Sequence, residues 1–577
     1  MAKKILQVIF LLLTLKITFA QSPYRNEWID FSKTYYKFRI GPFGTSSQGP
    51  IKNGVVRIPQ STLAAAGLGN IPAEQFQLWI NGAQVPIYIS KPSGVLSSAD
   101  YIEFWGEMSN GKLDNELYND AGSQINDGWC LSTDSSAYFL TYSTPASSDP
   151  VLRLANTDNN VQNTAIPAEK NFMYSAVSWP RSILYTGFSV SYDGFPLYLS
   201  SYDPGEGYAS RGIFPNNCGC TNKQLLVSFP ALFADTSVAC TLKVNMIGAA
   251  SNDRNVRIWL NNDSVAKVAM GYYNYSKTSI TDLKGSRLKN DSANIIIENL
   301  SAVSNDVMVA GITEFSYGRR FNFGGANSFA FTVAASAQGR YLKINNFSSG
   351  SGKPALYDLT NGKRYDADMT VADTLRFLLE PSLKDYRLVL VRGDGSTART
   401  VTALQQKKYT DYSHAANQGD YLIITNSLLL GTDTSNYVEQ YGAYRSSAAG
   451  GAYNVKLSLI SDLEDQFAWG LKGHPQAVRN FLRYARENFS APPEYAFIIG
   501  KGVSYLQYRN YGESSASDKL NLVQTPCVSP NGALPVEGPK NGTRLSAMFS
   551  FERARLQFCF PVFPPMSLPV ISGWRSK

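Results

Sequence analysis

Apolar and polar residues alternate through much of the first 400 positions. Phe76-Gln77-Leu78-Trp79-Ile80 alternates, Asn81-Gly82 follows, and Val85-Pro86-Ile87-Tyr88-Ile89 alternates again. Period two sends successive side chains to opposite faces of a strand, and Asn-Gly tolerates the positive φ of a tight turn, so the stretch predicts a β-hairpin. Val256-Arg257-Ile258-Trp259-Leu260 alternates before Asn261-Asn262-Asp263. Leu356-Tyr357-Asp358-Leu359 meets Asn361-Gly362 and then Lys363-Arg364-Tyr365, and Arg387-Leu388-Val389-Leu390-Val391 is a further strand candidate. Many short strands parted by turn residues, with no long amphipathic helix, predict two or three β-sandwich modules. Their joints are weakly marked, as at Ser348-Ser349-Gly350-Ser351-Gly352.

Near residue 415 the pattern changes. Ala415-Ala416-Asn417-Gln418-Gly419 reads as a linker, and Tyr421-Leu422-Ile423-Ile424-Thr425 is a continuous apolar run suited to a strand buried on both faces. A helix is predicted over 438–446, then a strand at Asn454-Val455-Lys456-Leu457-Ser458-Leu459-Ile460. His474-Pro475 opens a second helix, in which Ala477, Val478, Phe481, Leu482, Ala485 and Phe489 share one face. Pro492-Pro493 ends it, and Tyr495-Ala496-Phe497-Ile498-Ile499-Gly500 is a third buried strand. Strand, helix, strand, helix, strand predicts parallel βαβ units. After Val523 the pattern dissolves. Residues 524–577 hold none of the 34 Tyr, no Asp and no His, but eight Pro, a density that blocks helix interiors and central strands. This tail is read as a segment translated out of frame.

The first twenty residues form a unit of their own. Lys3 and Lys4 precede a mostly apolar stretch at 5–15, and Thr18-Phe19-Ala20 places small residues before Gln21. This is the layout of a secretory signal peptide, with the mature chain starting at Gln21. The expected organisation is therefore a signal peptide at 1–20, a β-rich module at 21–190, β-sandwich modules at 191–400, a linker at 401–419, a partial α/β domain at 420–523 and an anomalous tail at 524–577. The fold class is multidomain β plus α/β. The location is exported: periplasm, outer-membrane surface or extracellular, without a transmembrane anchor.

Composition narrows the chemistry. Against 45 Asp+Glu stand 53 Lys+Arg, a net charge of +8 scattered over 577 residues without a basic run, so no nucleic-acid partner is expected. Two His and six Cys without metal-type spacing leave no cofactor or metal site to assign. His-dependent catalysis is limited to His414 and His474. Cys130, Cys218, Cys220 and Cys240 would form two disulfides in an exported protein, or remain buried thiols. Cys218-Gly219-Cys220 reads as too tight for an easy mutual bridge, which favours distant partners for each. Gly500-Lys501-Gly502 lacks the rest of a phosphate loop, and Arg392-Gly393-Asp394 reads as a turn.

An ordered set of stretches carries a resemblance. They are Glu27-Trp28-Ile29-Asp30-Phe31 with Tyr35-Tyr36-Lys37-Phe38, Phe76-Gln77-Leu78-Trp79, Asp100-Tyr101-Ile102-Glu103-Phe104-Trp105-Gly106, and Arg320-Phe321-Asn322-Phe323-Gly324-Gly325. In the α/β part they are Tyr421-Leu422-Ile423-Ile424-Thr425, Asp465-Gln466-Phe467, His474-Pro475-Gln476-Ala477-Val478-Arg479 and Phe497-Ile498-Ile499-Gly500-Lys501-Gly502. The chain resembles gingipain-type cysteine peptidases, in particular the sortase-like proteins of the type IX secretion system of Bacteroidetes. The resemblance implies a caspase-like α/β domain, incomplete here, with a Cys nucleophile and a His base in a Gly-His-Gly-like turn beyond the strand that ends at Gly500. The sequence holds no Gly-His-Gly. His414 precedes the first α/β strand, His474 reads as a capping or surface residue, and Cys527 and Cys559 lie in the tail with no His after them. No catalytic, cofactor-binding or metal residue is therefore assigned.

The function expected is that of a secreted gingipain-like peptidase or sortase-type protein acting on exported proteins or peptides, truncated and inactive in this form, with other secretion-system components as partners. The rival reading is a non-catalytic cell-surface protein that binds through its β-sandwich modules. An isolated 420–577 fragment, with an open sheet edge and an uncovered apolar face, is expected to be poorly soluble.

Overall fold

The computed structural model describes residues 24–46, 49–143, 151–162, 164–192, 195–198, 202–288, 290–431, 436–503, 505–524 and 546–550. The predicted signal peptide, Cys527, Cys559 and most of the tail lie outside the described residues.

The N-terminal module packs two sheets face to face. One runs in the order Gln405–Lys407, Tyr35–Ile40, Ser136–Tyr142, Phe76–Ile80, Ala83–Val85; the other runs Arg399–Thr400, Asn53–Pro59, Tyr101–Glu107, Tyr88–Ile89. The predicted hairpin forms, with Asn81 and Gly82 at φ of 49° and 75° and Leu78 opposite Val85. Its second strand is shorter than the alternation implied. It leaves the sheet at Pro86, which has no N–H to donate, and Tyr88–Ile89 joins the other sheet. Tyr36, Phe38, Val56, Ile58, Phe76, Leu78, Phe104 and Leu140 fill the space between the sheets.

A second sandwich follows. Asn171–Ser178, the long strand Met308–Arg320, Cys240–Gly248 and Tyr275–Leu283 face a sheet of Gln224–Phe229, Ala293–Asn299, Arg254–Leu260 and Asp263–Met270. Its core holds one ion pair, Arg254 to Asp306 at 2.8 Å, with both side chains fully buried. Strand Ser189–Tyr192 runs across the border expected at 190, between Asn171–Ser178 and the rest of this sandwich. A third pair of sheets is built mainly from 322–391, with Phe323, Phe331, Leu356, Phe377 and Leu390 inside.

The stretch expected as a linker is a correction. Gln405–Lys407 pairs with Tyr35–Ile40, and Tyr409 and Tyr412 are buried, so the chain returns to the N-terminal module before entering the last domain.

In the α/β domain β1 (Tyr421–Thr425) lies between β2 (Val455–Leu459) and β3 (Tyr495–Ile499), parallel to both. Every residue of β1 is buried, as its unbroken apolar run required. Helices α1 (Tyr437–Ser446), α2 (Ile460–Phe467) and α3 (Gln476–Asn488) lie between the strands in sequence. The α3 face of Ala477, Val478, Phe481, Leu482 and Ala485 packs with α2 residues over one side of the sheet. Short helices α4 (Tyr505–Tyr511) and α5 (Ser515–Leu520) follow. The edge beside β3 is not open: β4 (Ser546–Ser550), inside the anomalous tail, pairs antiparallel with it, Tyr495 opposite Ser550. That strand corrects the expected open edge. Among the described residues no helix is long and apolar enough to cross a membrane.

Candidate functional site

The two histidines have opposite environments. His414 is exposed and lies 3.3 Å from Asp411. His474 is not the capping or surface residue its neighbour Pro475 implied: it is 1% exposed. Its Nε2 is 3.0 Å from Oδ1 of Asp114, on the turn Gly111–Leu117 of the N-terminal module, and its Nδ1 accepts from the Gln476 amide at 3.3 Å. An acceptor role for Nδ1 puts the ring proton on Nε2, which donates to Asp114. Burial lowers the His474 pKa despite the pull of Asp114, so the ring is neutral near neutral pH.

Asp114 also accepts from the Leu131 amide at 2.7 Å and from the Cys130 thiol at 3.5 Å. Cys130, Asp114 and His474 thus form a contiguous, solvent-excluded cluster. It is the wrong arrangement for thiol catalysis. The acid sits between the thiol and the imidazole, and burial together with Asp114 pushes the thiol far above its ordinary range, opposing the thiolate that a nucleophile needs. The cluster is a polar joint between two modules.

The other cysteines among the described residues are equally unsuited. Cys218 and Cys220 are bonded to each other, with Cα atoms 5.1 Å apart, a correction to the expectation of distant partners. The chain bends at Cys218-Gly219, which brings the two cysteines together. Cys240 is a buried thiol.

Around the joint a second set of charges ties the modules. Glu116 accepts from Arg25 at 2.9 Å, Gln476 at 3.1 Å and Arg479 at 3.2 Å. Burial works against its charge, but the two guanidinium groups hold its carboxyl below the usual range. Lys37, from strand Tyr35–Ile40, is paired with the fully buried Asp465 of α2. Lys407 lies 3.1 Å from Asp462 and 3.7 Å from Asp465.

These pairs border a cleft among the described residues. It measures about 600 Å³ and opens where β1 and β2 end, at Ser427 and Ser461. The N-terminal module contributes Lys37, Arg39, Ser135, Gln405 and Lys407 to it; the α/β domain contributes Glu464, Lys472, Glu513, Ser514 and Asp518. Crevices beyond the carboxyl ends of parallel strands are where open α/β sheets bind ligands. The crevice between β1 and β3 is filled by the chain itself. Lys501 carbonyl oxygen accepts from the Leu522 and Val523 amides, and Asn426 Nδ2 donates to Leu522 O at 2.8 Å. The Gly500-Lys501-Gly502 fragment is thus engaged by its own backbone. Arg392 pairs with Asp394 at 2.8 Å, which closes the turn predicted there.

With this geometry in view, the comparisons with known proteins are specific. Residues 414–539 match the model of peptidase family C25. The match covers β1, β2 and β3 and the helices between them. Among solved structures the dimeric latent PorU of Porphyromonas gingivalis superposes with a TM-score of 0.51 at 12% identity, over 91% of this chain and 46% of that one. That likeness establishes the fold, a PorU-like succession of β-sheet modules leading into an α/β domain, and this chain spans less than half of the PorU structure's length. A CBM36 module of a xylanase from the Trinervitermes trinervoides hindgut metagenome aligns with 25% of the chain at 8% identity over 96% of its own length; its TM-score of 0.17 carries no argument. No curated protein matches.

Sequence reasoning missed Asp114, the partner that explains His474, because 360 residues separate them. It also missed the cleft, whose Lys37 lies in a stretch noted only for the family resemblance, whose Lys407 lies in the expected linker and whose Lys472 lies outside the predicted elements. A lysine within an otherwise aromatic strand, as in Tyr35-Tyr36-Lys37-Phe38, was the available signal.

Proposed function

We propose that the chain is an exported gingipain-type protein of family C25 that engages exported polypeptides at the cleft between its N-terminal module and its α/β domain. It does not hydrolyse them with the residues in this sequence. The observation that carries the reading is the C25 match over 414–539, joined to a cleft at the carboxyl ends of that segment's parallel strands. Catalytic silence follows from the chemistry of the two histidines: His474 is sealed against Asp114, and His414 is an exposed residue ahead of β1. The alternation of cations and acids with serines in the cleft suits an extended chain, whose amides take up hydrogen bonds between paired charges.

The test combines the full chain with a thiol-reactive peptide inhibitor, with chromogenic peptides, and with an unfolded exported protein as binding probe. Neither covalent label nor turnover is expected, while the exported protein binds and Arg39→Glu together with Lys407→Glu weakens it at least tenfold. Turnover that vanishes in His474→Ala would overturn the catalytic part. Binding unaffected by the charge reversals would overturn the cleft.

A further inference from the structure

We propose that the burial of Glu206 beneath Tyr505 is a proton-dependent latch that holds α4 and α5, one wall of the cleft, against the β-modules. It goes beyond the reading above and stands whether or not that reading holds.

Helix α4 crosses the face of two modules and is fastened at three points. Tyr505 donates its hydroxyl to Glu206 Oε1 and stacks on Tyr202, ring centroids 5.6 Å apart. One turn on, Arg509 donates to Tyr208 Oη at 2.8 Å and is paired with Asp134 and Glu513. Glu513, just past α4, accepts from Thr133 at 3.0 Å and from the Asp134 amide at 2.8 Å. Glu513, Ser514, Ser515 and Asp518 then line the cleft. Whatever frees α4 therefore reshapes that wall.

The second fastening is a charge pair and the third a set of hydrogen bonds to a carboxylate. The first is different. Glu206 is 3% exposed, and the groups facing it are Tyr505 from α4, Tyr118 from the N-terminal module, and Tyr202, Asp203 and Tyr185 from its own module. All are neutral or acidic. Its Oε2 accepts from the Asp203 amide at 2.8 Å, and its carbonyl accepts from Tyr118. Burial is the main cause that pushes its carboxyl up to about 8, with the Tyr505 hydroxyl working the other way. Both carboxyl oxygens accept hydrogen bonds, but burial without a neighbouring cation disfavours the charged form more than these donors favour it.

The sign follows from linkage. The docked state binds the Glu206 proton more tightly than a state with Glu206 in water, whose pKa is 4.5. The latch is therefore fully closed below 4.5. It weakens about tenfold for each pH unit up to about 8 and changes no further above that.

Hydrogen exchange of the full chain between pH 5 and 9.5, corrected for the intrinsic pH dependence of exchange, tests this. Protection over 505–520 should fall about tenfold per unit up to pH 8 and then level, while protection in α3 does not follow that slope. Glu206→Gln should be flat. Tyr505→Phe, which removes the hydroxyl that favours the carboxylate, should move the levelling point to higher pH. A flat wild-type profile, or the same slope in Glu206→Gln, would overturn the proposal. If Glu206→Gln does not fold, an unmoved levelling point in Tyr505→Phe would overturn it.

Discussion

The His474–Asp114 joint makes the sharpest stability prediction. His474→Ala removes the 3.0 Å bond to Asp114 and the 3.3 Å bond from the Gln476 amide, and it empties a site that is 1% exposed. A hydrogen bond to a charged group contributes about 1.5–3 kcal/mol and an ordinary one about 0.5–1.5. The vacated ring volume adds about 1–2 kcal/mol. The sum lies at about 3–6.5 kcal/mol. Asp114 belongs to one module and His474 to another, so the loss falls on their docking rather than on the sandwiches. A multidomain chain does not unfold in two states, and local hydrogen exchange is the fitting assay. Protection of α3 and of 111–117 should fall by about a hundredfold or more, since about 1.4 kcal/mol is a factor of ten. Asp114→Ala should do the same, and the double variant should lose less than the sum by about 1.5–3 kcal/mol, because the two share one bond. Additivity within about 0.5 kcal/mol, or unchanged protection in His474→Ala, would refute the reasoning.

Other outcomes follow from the same chemistry. Because burial lowers the His474 pKa below its ordinary 6.5, its contribution to docking is present above that value and is lost as pH falls through it; α3 protection should decline from pH 7 to 5 in the wild type and not in His474→Gln. Cys130, fully buried with its thiol pushed up, should react with iodoacetamide at pH 8 at least about a hundredfold more slowly in the folded chain than in denaturant, followed by mass spectrometry. Arg254→Ala leaves the buried Asp306 carboxylate with only its Asn252 and Asn299 donors and should cost the second sandwich about 3–5 kcal/mol. Replacing both as Arg254→Met with Asp306→Leu should cost less, and denaturant titration monitored by exchange in Ala293–Asn299 distinguishes the two.

Local patterns carried well where local physics decides. Asn81-Gly82 made its turn because few other pairs accept positive φ twice in succession. The apolar run of β1 read correctly as a strand covered on both faces, and Pro475 opened α3 as its fixed φ prescribes. What was illegible depends on partners far along the chain. The residues 401–419 look like a linker by composition, yet Tyr409 and Tyr412 are core residues because the N-terminal module and the α/β domain meet over them. His474 looked exposed beside its proline because nothing nearby is acidic enough to hold it. Cys218 and Cys220 misled for a different reason: a ring of so few residues was judged by its awkwardness, not by the proximity it enforces.

The cleft is better understood as a property of docking than of the C25 segment. Of its charges, Lys37, Arg39 and Lys407 arrive on strands of the N-terminal module, whereas Glu464, Lys472, Glu513 and Asp518 belong to the α/β domain. Neither half presents this surface alone. Polar contacts help bring the halves together: the buried pairs Lys37 with Asp465 and His474 with Asp114, and the half-exposed Glu116 with Arg479. Burial keeps lowering the Lys37 pKa even with Asp465 beside it. Apolar residues of similar volume would hold two modules at least as firmly. Polar joints instead demand one register, since a shift of a few ångströms strands a charge on each side. That requirement fixes Arg39 and Lys407 opposite Glu464 and keeps a defined cleft at the edge of the parallel strands.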